Sequence, residues 1–262
     1  MSDYYLYKSF WRFAKAPHCE VPLEANHAKQ LLAQGGWFVR NTYHFDCQEN
    51  TRFWYIVKDH FGGFQELSSN TRRKVRKAQR DISYRIVDKD YVKKHGYALY
   101  QETLKAYSSD GSALSEEAFV KTLEMPFVEC WGCFDKKNAA FVGFSINFCW
   151  EEACGYDVLA ILPEYRHNGT YIYYGLIFSM NEYYLGQKQL RYVTDGSRSI
   201  TEHSRVQPWL IHYFAFRKAY CHLKVHYKWW MKLAVTILYP FRKIIPIPPV
   251  KAVLNMESMT CR

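Results

Sequence analysis

No stretch of the 262-residue chain reaches the roughly 18 uninterrupted apolar residues from which a spanning helix is read, so a helical transmembrane class is excluded. The leading residues, MSDYYLYKSFWRFAK, also lack the continuous apolar segment of a secretory leader. The expectation is a cytoplasmic chain whose eight cysteines remain thiols. No Gly-x-Ser-x-Gly occurs, and Gly196-Ser197-Arg198-Ser199 lacks the closing glycine, so a hydrolase nucleophile elbow is absent. Neither a Walker A sequence nor a complete Gly-x-Gly-x-x-Gly is present, which removes the signatures of P-loop NTPases and dinucleotide-binding folds. No internal repeat is visible. Acidic residues are in deficit, 25 against 35 Lys and Arg, leaving a net charge of +10. That balance calls for an anionic partner, whether coenzyme phosphates, nucleic acid or an anionic membrane surface.

The residues that abound are apolar and aromatic. Hydrophobic residues make up 48% and aromatics 18%, enough for a full core and too much for a disordered chain. Cys130-x2-Cys133 with Cys149-x4-Cys154 has zinc-ribbon spacing. The intervening Phe141-Val142-Gly143-Phe144 reads as hairpin core, and Cys130 and Cys133 on one strand point to opposite faces. Buried free thiols are the expected fate, with no metal. His222 and His226 share a strand face, but two ligands alone make no site.

Along the chain, residues 1–35 are aromatic and basic, with a helix around Glu24 to Ala33. Trp37–Phe45 and Arg52–Lys58 read as the two strands of a hairpin joined by the polar Asp46–Thr51. Ser68-Ser69-Asn70-Thr71 is an N-cap cluster. It opens a helix on which Arg72, Arg76 and Arg80 align with Arg73 and Lys77 alongside; such a stripe is either a solvated face or a contact for phosphates. There follow a strand at Ser83–Val87, a helix at Asp90–Tyr107, a loop at Ser108–Ser112 and a helix from Ser115 to Leu123. A hairpin occupies Phe127–Phe134 and Ala139–Trp150. A strand at Gly155–Leu162, a polar turn at Glu164–Thr170 and a helix at Ile172–Met180 come next, then a strand at Leu190–Thr194, a helix at Thr201–Phe214 and a strand at Cys221–Tyr227. Beyond it, Leu233 to Phe241 forms an apolar run flanked by Trp, Lys and Arg, too short to span a bilayer; it either packs on the domain, against residues 1–65 for instance, or lies at a membrane interface.

The stretch Cys154–Met180 organises the rest. A buried strand, a glycine-containing turn and a helix N-terminus together make an anion site, because first-turn N–H groups and the dipole face the turn. Arg166-His167-Asn168-Gly169-Thr170-Tyr171 resembles the acyl-CoA motif of the GNAT superfamily of N-acyltransferases, in which Arg or Gln is followed after two residues by Gly and after one more by Gly or Ala. Arg166 and Gly169 match. Tyr171 stands where the family carries a small residue, so either its ring turns away or the coenzyme site is altered. The element order from residue 83 also resembles that family, as does Ala215-Phe216 its closing Gly-Phe step. The cationic helix ahead of it resembles FemAB-like members. The resemblance implies an α/β, GNAT-like acyl-CoA N-acyltransferase fold: a central mixed β-sheet flanked by helices, with residues 1–65 as an N-terminal extension, 66–228 as the transferase domain and 229–262 as an apolar, basic tail.

In that family the thioester lies where two central parallel strands splay, held by backbone amides of the fourth strand, here Val158, Leu159 and Ala160. The phosphates would lie on Arg166, His167, Asn168, Gly169, Thr170 and Tyr171. Candidates for the base are Asp157, a carboxylate among apolar strand residues, Asp195 beyond the next strand, and His203. Each has an ordinary alternative as a solvent-facing, turn or capping residue. The family's acidic Tyr falls at Ile211, with Tyr213 close but out of register, so water would protonate the leaving thiolate. The expected activity is transfer from acyl-CoA, acetyl-CoA first, to an amine, for instance one carried by an envelope or glycan precursor. A tRNA-dependent aminoacyl transferase of FemAB type and a non-catalytic binding protein on the same fold are the alternatives.

Overall fold

The computed structural model describes residues 3–7, 9–106, 113–167, 169–200 and 206–260. In chain order its strands and helices are β1 (Tyr4–Tyr7), β2 (Phe10–Phe13), α1 (Ala25–Gln34), β3 (Phe38–Tyr43), β4 (Phe53–Lys58), α2 (Ser69–Asp81), β5 (Ile82–Val87), α3 (Lys89–Lys105), α4 (Glu116–Leu123), β6 (Val128–Asp135), β7 (Phe141–Cys149), β8 (Ala153–Ile161), α5 (Pro163–His167), α6 (Ile172–Asn181), β9 (Tyr192–Ser197), α7 (Val206–Phe214), β10 (Arg217–Tyr227), α8 (Trp229–Leu238) and α9 (Pro248–Glu257). They sort into two compact units. The first gathers Met1–Ile56, Ser197–Gln207 and Arg217–Arg262, and the second Val57–Gly196 and Pro208–Phe216.

The second unit is a mixed sheet in the order β9-β8-β7-β6-β5. β5 to β8 form an antiparallel meander, and β9 joins β8 in parallel. Local chemistry explains the β6–β7 hairpin: Asp135 Oδ1 accepts the N–H of Lys137 at 2.8 Å and Asn138 Oδ1 that of Ala140 at 3.0 Å, the side-chain turn mimicry for which Asp and Asn are favoured. On β7 alternate residues divide between the two faces. Phe144, Ile146 and Phe148 pack with Val92, Leu99 and Phe119 of α3 and α4; each such side chain contributes about 1.5–3 kcal/mol on burial. Gly143, Ser145 and Asn147 face the other way. There β5 meets α6: the Tyr84 hydroxyl donates to the Ile172 carbonyl at 3.1 Å.

α2 begins where its caps dictate, with Ser68 Oγ accepting the Thr71 N–H at 3.2 Å. It is not solvated all round. Thr71, Val75 and Ala78 are buried, a stripe of i, i+4, i+7 spacing by which α2 packs along α6.

The first unit carries strands in the order β1-β2-β3-β10-β4, with β4 belonging to it as far as Ile56. β1–β2 and β3–β10 pair antiparallel, β2–β3 parallel. One core cluster joins Trp11, Leu31, Leu32 and Val39. Another joins Phe38, Phe53 and Leu223 to Met231 and Val235 of α8 and to Leu254, Met256 and Met259 near the C-terminus. The tail from residue 229 therefore contributes to a core.

Some local expectations give way. The hairpin expected of Trp37–Phe45 and Arg52–Lys58 does not form, because β10 lies between β3 and β4 and takes the hydrogen bonds they would have shared. Residues 4–13 form a hairpin that the sequence pattern hides, because Leu6 points outward while Tyr4 is buried. The polar stretch after Leu162 holds a short helix, α5, before its turn. The helix expected from Thr201 is described only from Val206; residues 201–205, like the loop Ser108–Ser112, lie outside the described residues.

Candidate active site

The strand opening, the glycine turn and the cationic helix all belong to the second unit. β8 and β9 run parallel through Ala153↔Tyr192, Cys154↔Val193 and Gly155↔Thr194, and the pairing ends there although both strands continue. At the same level β8 is deformed. Ile146 opposes Val158 and Asn147 opposes Tyr156, so Asp157 is an extra residue in the ladder. Such bulges bend a strand and re-aim a side chain, and are common beside active sites. The two arms of the opening thus carry Asp157 and Asp195, both partly buried. Both act electrostatically on neighbouring phenols. Tyr156 is pushed well above 10 by burial first, with Cys154, Cys149 and Asp195 adding to it. Tyr100 is raised mainly by burial, with Asp157 among the contributing charges.

The backbone of β8 supplies donors to the same opening. The N–H of Leu162 bonds the Val142 carbonyl at 3.0 Å. In an antiparallel ladder alternate residues bond the neighbour, so Ala160 and Val158 turn their amides to β7. Leu159 and Ile161 turn theirs to the edge that β9 leaves.

β8 leads through α5 into the turn that precedes α6. Gly169 has φ +65°, a region an L-residue enters at a cost of about 1–2 kcal/mol. The Thr170 hydroxyl donates to the Tyr165 carbonyl, and the Tyr165 hydroxyl to Asp135 Oδ2 at 2.8 Å. Tyr171 caps α6 with φ 53° and ψ 32°. Arg166 is partly buried on α5, which His167 closes; Asn168 lies outside the described residues.

The ring of Tyr171 turns toward α2. Lys74 Nζ stands 5.5 Å from its centroid, 4.7 Å from that of Tyr174 and 5.1 Å from that of Tyr213, and donates to Tyr174 Oη at 3.1 Å. Lys77 Nζ stands 5.7 Å from the Tyr171 centroid, and a Cβ on Gly169 would lie 3.5 Å from it. Each cation–aromatic contact is worth about 0.5–2 kcal/mol. The result is one groove of about 720 Å³ lined by Ser69, Arg72, Arg73, Arg76, Lys77, Arg80 and Tyr171. Among the described residues no carboxylate forms an ion pair with Arg72, Arg73, Arg76 or Lys77. Arg80 is paired with Asp81 at 2.9 Å; the other four cations line a groove that also holds Tyr171 at the N-terminus of α6, an arrangement that favours a phosphorylated or otherwise polyanionic ligand.

Beneath β8 lies a buried polar network that the sequence does not announce. Tyr184 donates to Glu129 Oε1 at 2.6 Å and accepts from Trp131 Nε1 at 3.0 Å and Asn147 Nδ2 at 3.2 Å. Burial drives its phenol far above the usual range. It sits on a π-helical segment, Glu182–Gln187, that continues α6; such segments are frequent at functional sites. Tyr156 donates to Asn181 Oδ1 at 2.8 Å, while Asn181 Nδ2 is buried without a partner. Cys149 and Cys154 are free thiols 3.2 Å apart. Cys130 belongs to the α3–α4 core, whereas Cys133 pairs across the ladder with Tyr84 on the opposite face, so these two cannot ligate one ion.

Of the remaining candidates, His203 lies outside the described residues. Ile211 is exposed, and Tyr213 reaches the Lys74 cluster instead of the strand opening. In the first unit, His222 Nε2 meets Glu49 Oε2 at 3.4 Å and stacks on Tyr43, while burial lowers the pKa of His226.

No family model matches the sequence, and no curated protein matches it by sequence. Solved structures match it by fold. FemX superposes with a TM-score of 0.52 at 10% identity, over 74% of this chain and 73% of that one. The C-terminal domain (DUF2156) of a protein named a lysylphosphatidylglycerol synthetase from Agrobacterium fabrum gives 0.52 at 10% identity, over 90% and 84%. The fold is GNAT-like. In this GNAT-like, FemAB-like frame the mixed sheet has its parallel splay at β8–β9, and the glycine turn follows the splayed strand. Ala215 takes the place of the glycine in the closing Gly-Phe step and has φ 54°, with Phe216 buried behind it.

Proposed function

We propose that the chain is a transferase that moves an acyl group from acyl-CoA, acetyl-CoA first, to an amine. The observation that carries this reading is the groove in which the Gly169–Tyr171 turn meets Arg72, Arg73, Arg76 and Lys77 of α2, next to the open end of β8. The coenzyme's phosphates would lie on the turn and on Arg72, Arg76 and Lys77. The thioester would reach into the opening between β8 and β9. There the Leu159 and Ile161 amides would receive the carbonyl oxygen as it becomes an oxyanion. The amine nitrogen attacks the thioester carbon and a C–N bond forms. Asp157 or Asp195, directly or through water, takes the amine proton. The C–S bond then breaks, and the thiolate takes its proton from water. No covalent enzyme intermediate is needed.

A second reading is transfer of an aminoacyl group from tRNA. The length of the cationic stripe, from Arg72 to Arg80, favours it, because a single pyrophosphate needs fewer cations. FemX and the lysylphosphatidylglycerol synthetase domain share the fold, and the second name points to an aminoacyl product; the acceptor here, an amine on an envelope or glycan precursor, is part of the proposal.

The test is a thermal-shift and calorimetric panel of acetyl-CoA, a long-chain acyl-CoA, CoA and tRNA on the parent and on Arg72→Glu/Arg76→Glu/Lys77→Glu. Acyl-CoA is expected to raise the parent's Tm, and the variant to lose at least about tenfold in affinity with a flatter salt dependence. A parent shifted by tRNA alone selects the second reading. A parent indifferent to both, or a variant that binds equally well, removes the transferase assignment of this groove. Charge reversal is the better probe than Gly169→Glu, which also strains a φ of +65°.

A further inference from the structure

The helix α8 packs by one side only. Met231 and Val235 are buried in the first unit's core. At 100° per residue the opposite side carries Trp229, Leu233 and Ile237, four residues apart, with Trp230 between them. Their exposures are 80%, 55%, 58% and 44%. The apolar surface continues past the helix through Phe241, Ile244 and Ile247, all exposed. Trp37 extends it laterally: its ring lies 6.2 Å from that of Trp230, edge-on, and its carbonyl accepts the Lys228 N–H at 3.0 Å. Scattered apolar side chains on a surface are ordinary, but a contiguous apolar strip marks an interaction site.

The charges beside the strip identify the partner. From Lys228 to Met256 the chain carries Lys228, Lys232, Arg242, Lys243 and Lys251 and no Asp or Glu. Tryptophan and tyrosine with flanking lysine and arginine is the composition of the bilayer interface. The ten residues of α8 span about 15 Å, half the hydrocarbon thickness of about 30 Å, so this helix is too short to cross a bilayer and would lie along its surface. A second copy of the chain is a poorer occupant. A two-fold contact through the same strip would gather the Lys232, Arg242 and Lys243 of both copies along one seam with no carboxylate from this stretch to offset them, whereas anionic headgroups neutralise them.

We propose that the exposed side of α8 and its continuation to Ile247 dock on a phospholipid surface bearing anionic headgroups. Trp229, Leu233 and Ile237 insert at the level of the acyl-chain boundary, and Lys232 and Lys243 meet the phosphates. The inference stands apart from the transferase reading, since no residue of the α2 groove takes part.

The experiment is flotation of the full chain with vesicles of phosphatidylcholine alone or mixed with phosphatidylglycerol. Its companions are Trp229→Glu/Leu233→Glu/Ile237→Glu and Lys232→Glu/Lys243→Glu. The parent is expected to float with the mixed vesicles and to lose about tenfold or more of its binding with either variant, each keeping the parent's Tm. If the triple variant does not fold, quenching of the parent's tryptophan fluorescence by brominated phosphatidylcholine in the mixed vesicles reports insertion directly. The proposal is overturned if the parent stays in solution, if the folded variants float equally well, if no quenching occurs, or if sedimentation shows a parent dimer that the triple variant dissolves.

Discussion

At the scale of single residues, the backbone shows where the chain departs from the pattern it resembles. Ala215 holds φ 54°, a conformation that costs an L-residue about 1–2 kcal/mol and glycine almost nothing. Its position is fixed by its neighbour, since Phe216 is buried and the Phe216 N–H reaches back to the Leu210 carbonyl at 3.4 Å. Ala215→Gly should therefore stabilise the protein, by about 0.5–1 kcal/mol after the greater freedom of glycine in the unfolded chain is subtracted. Denaturant titration followed by tryptophan fluorescence checks this, and a lower midpoint would show that the turn does not hold Ala215 under strain. Tyr171 is the opposite case. Its φ of 53° is equally unusual, but its ring gives Lys74 and Lys77 a face to approach, so the residue that breaks the small-residue rule of the motif is the one that ties the turn to α2.

At the scale of elements, α6 is held to the sheet by close approach. A Cβ on Gly175 would fall 2.3 Å from Tyr84 Oη and 2.5 Å from Cζ, so neither atom can stay where it is if the glycine is changed. Gly175→Ala should cost about 1–3 kcal/mol through overpacking and displace the N-terminus of α6 that faces the groove. Tyr84→Ala in the same chain should recover part of the loss, whereas Tyr84→Phe should not, because the ring carbon remains in the way. Equal midpoints for Gly175→Ala and the parent would show that α6 is free to move away from β5. The helices and strands from residue 68 onward were mostly legible, because their caps and periods are local: Ser68, Asp88 and Ser115 each cap a helix with a side-chain oxygen, and β7 alternates cleanly. The candidate groove was legible only in halves. The stripe on α2 and the turn before α6 could each be read, but their meeting depends on Lys77 and Gly169, 92 positions apart by subtraction, and no periodicity links them. The network around Tyr184 was illegible, since a tyrosine in Glu182–Gln187 has no spacing signal toward Glu129 or Trp131.

At the scale of the molecule, sequence order and spatial grouping part company. A sheet can be completed by segments far apart in the chain, and β10 pairs with β3 from His222↔Tyr43 to Tyr227↔Phe38, a long-range pairing that local pattern cannot forecast. The same holds for the C-terminal residues. Read alone, Leu233–Phe241 offers a choice between core and surface; in the fold one side of α8 is core and the other is exposed, so both halves of that choice are realised on one helix. The core side has a testable consequence. Met231, Val235, Leu254, Met256 and Met259 pack with Phe38, Phe53, Cys221 and Leu223. Removing five such side chains at about 1.5–3 kcal/mol each takes away as much as the whole stability of an ordinary domain, about 5–15 kcal/mol. A chain ending at Tyr227 should therefore lose the first unit's fold. Hydrogen-exchange mass spectrometry should find the amides of β3 and β10 unprotected, and the shortened protein should collect in the insoluble fraction. Protection of β10 at the parent's level in a soluble shortened chain would show that α8 and α9 lie on a finished core and do not complete it.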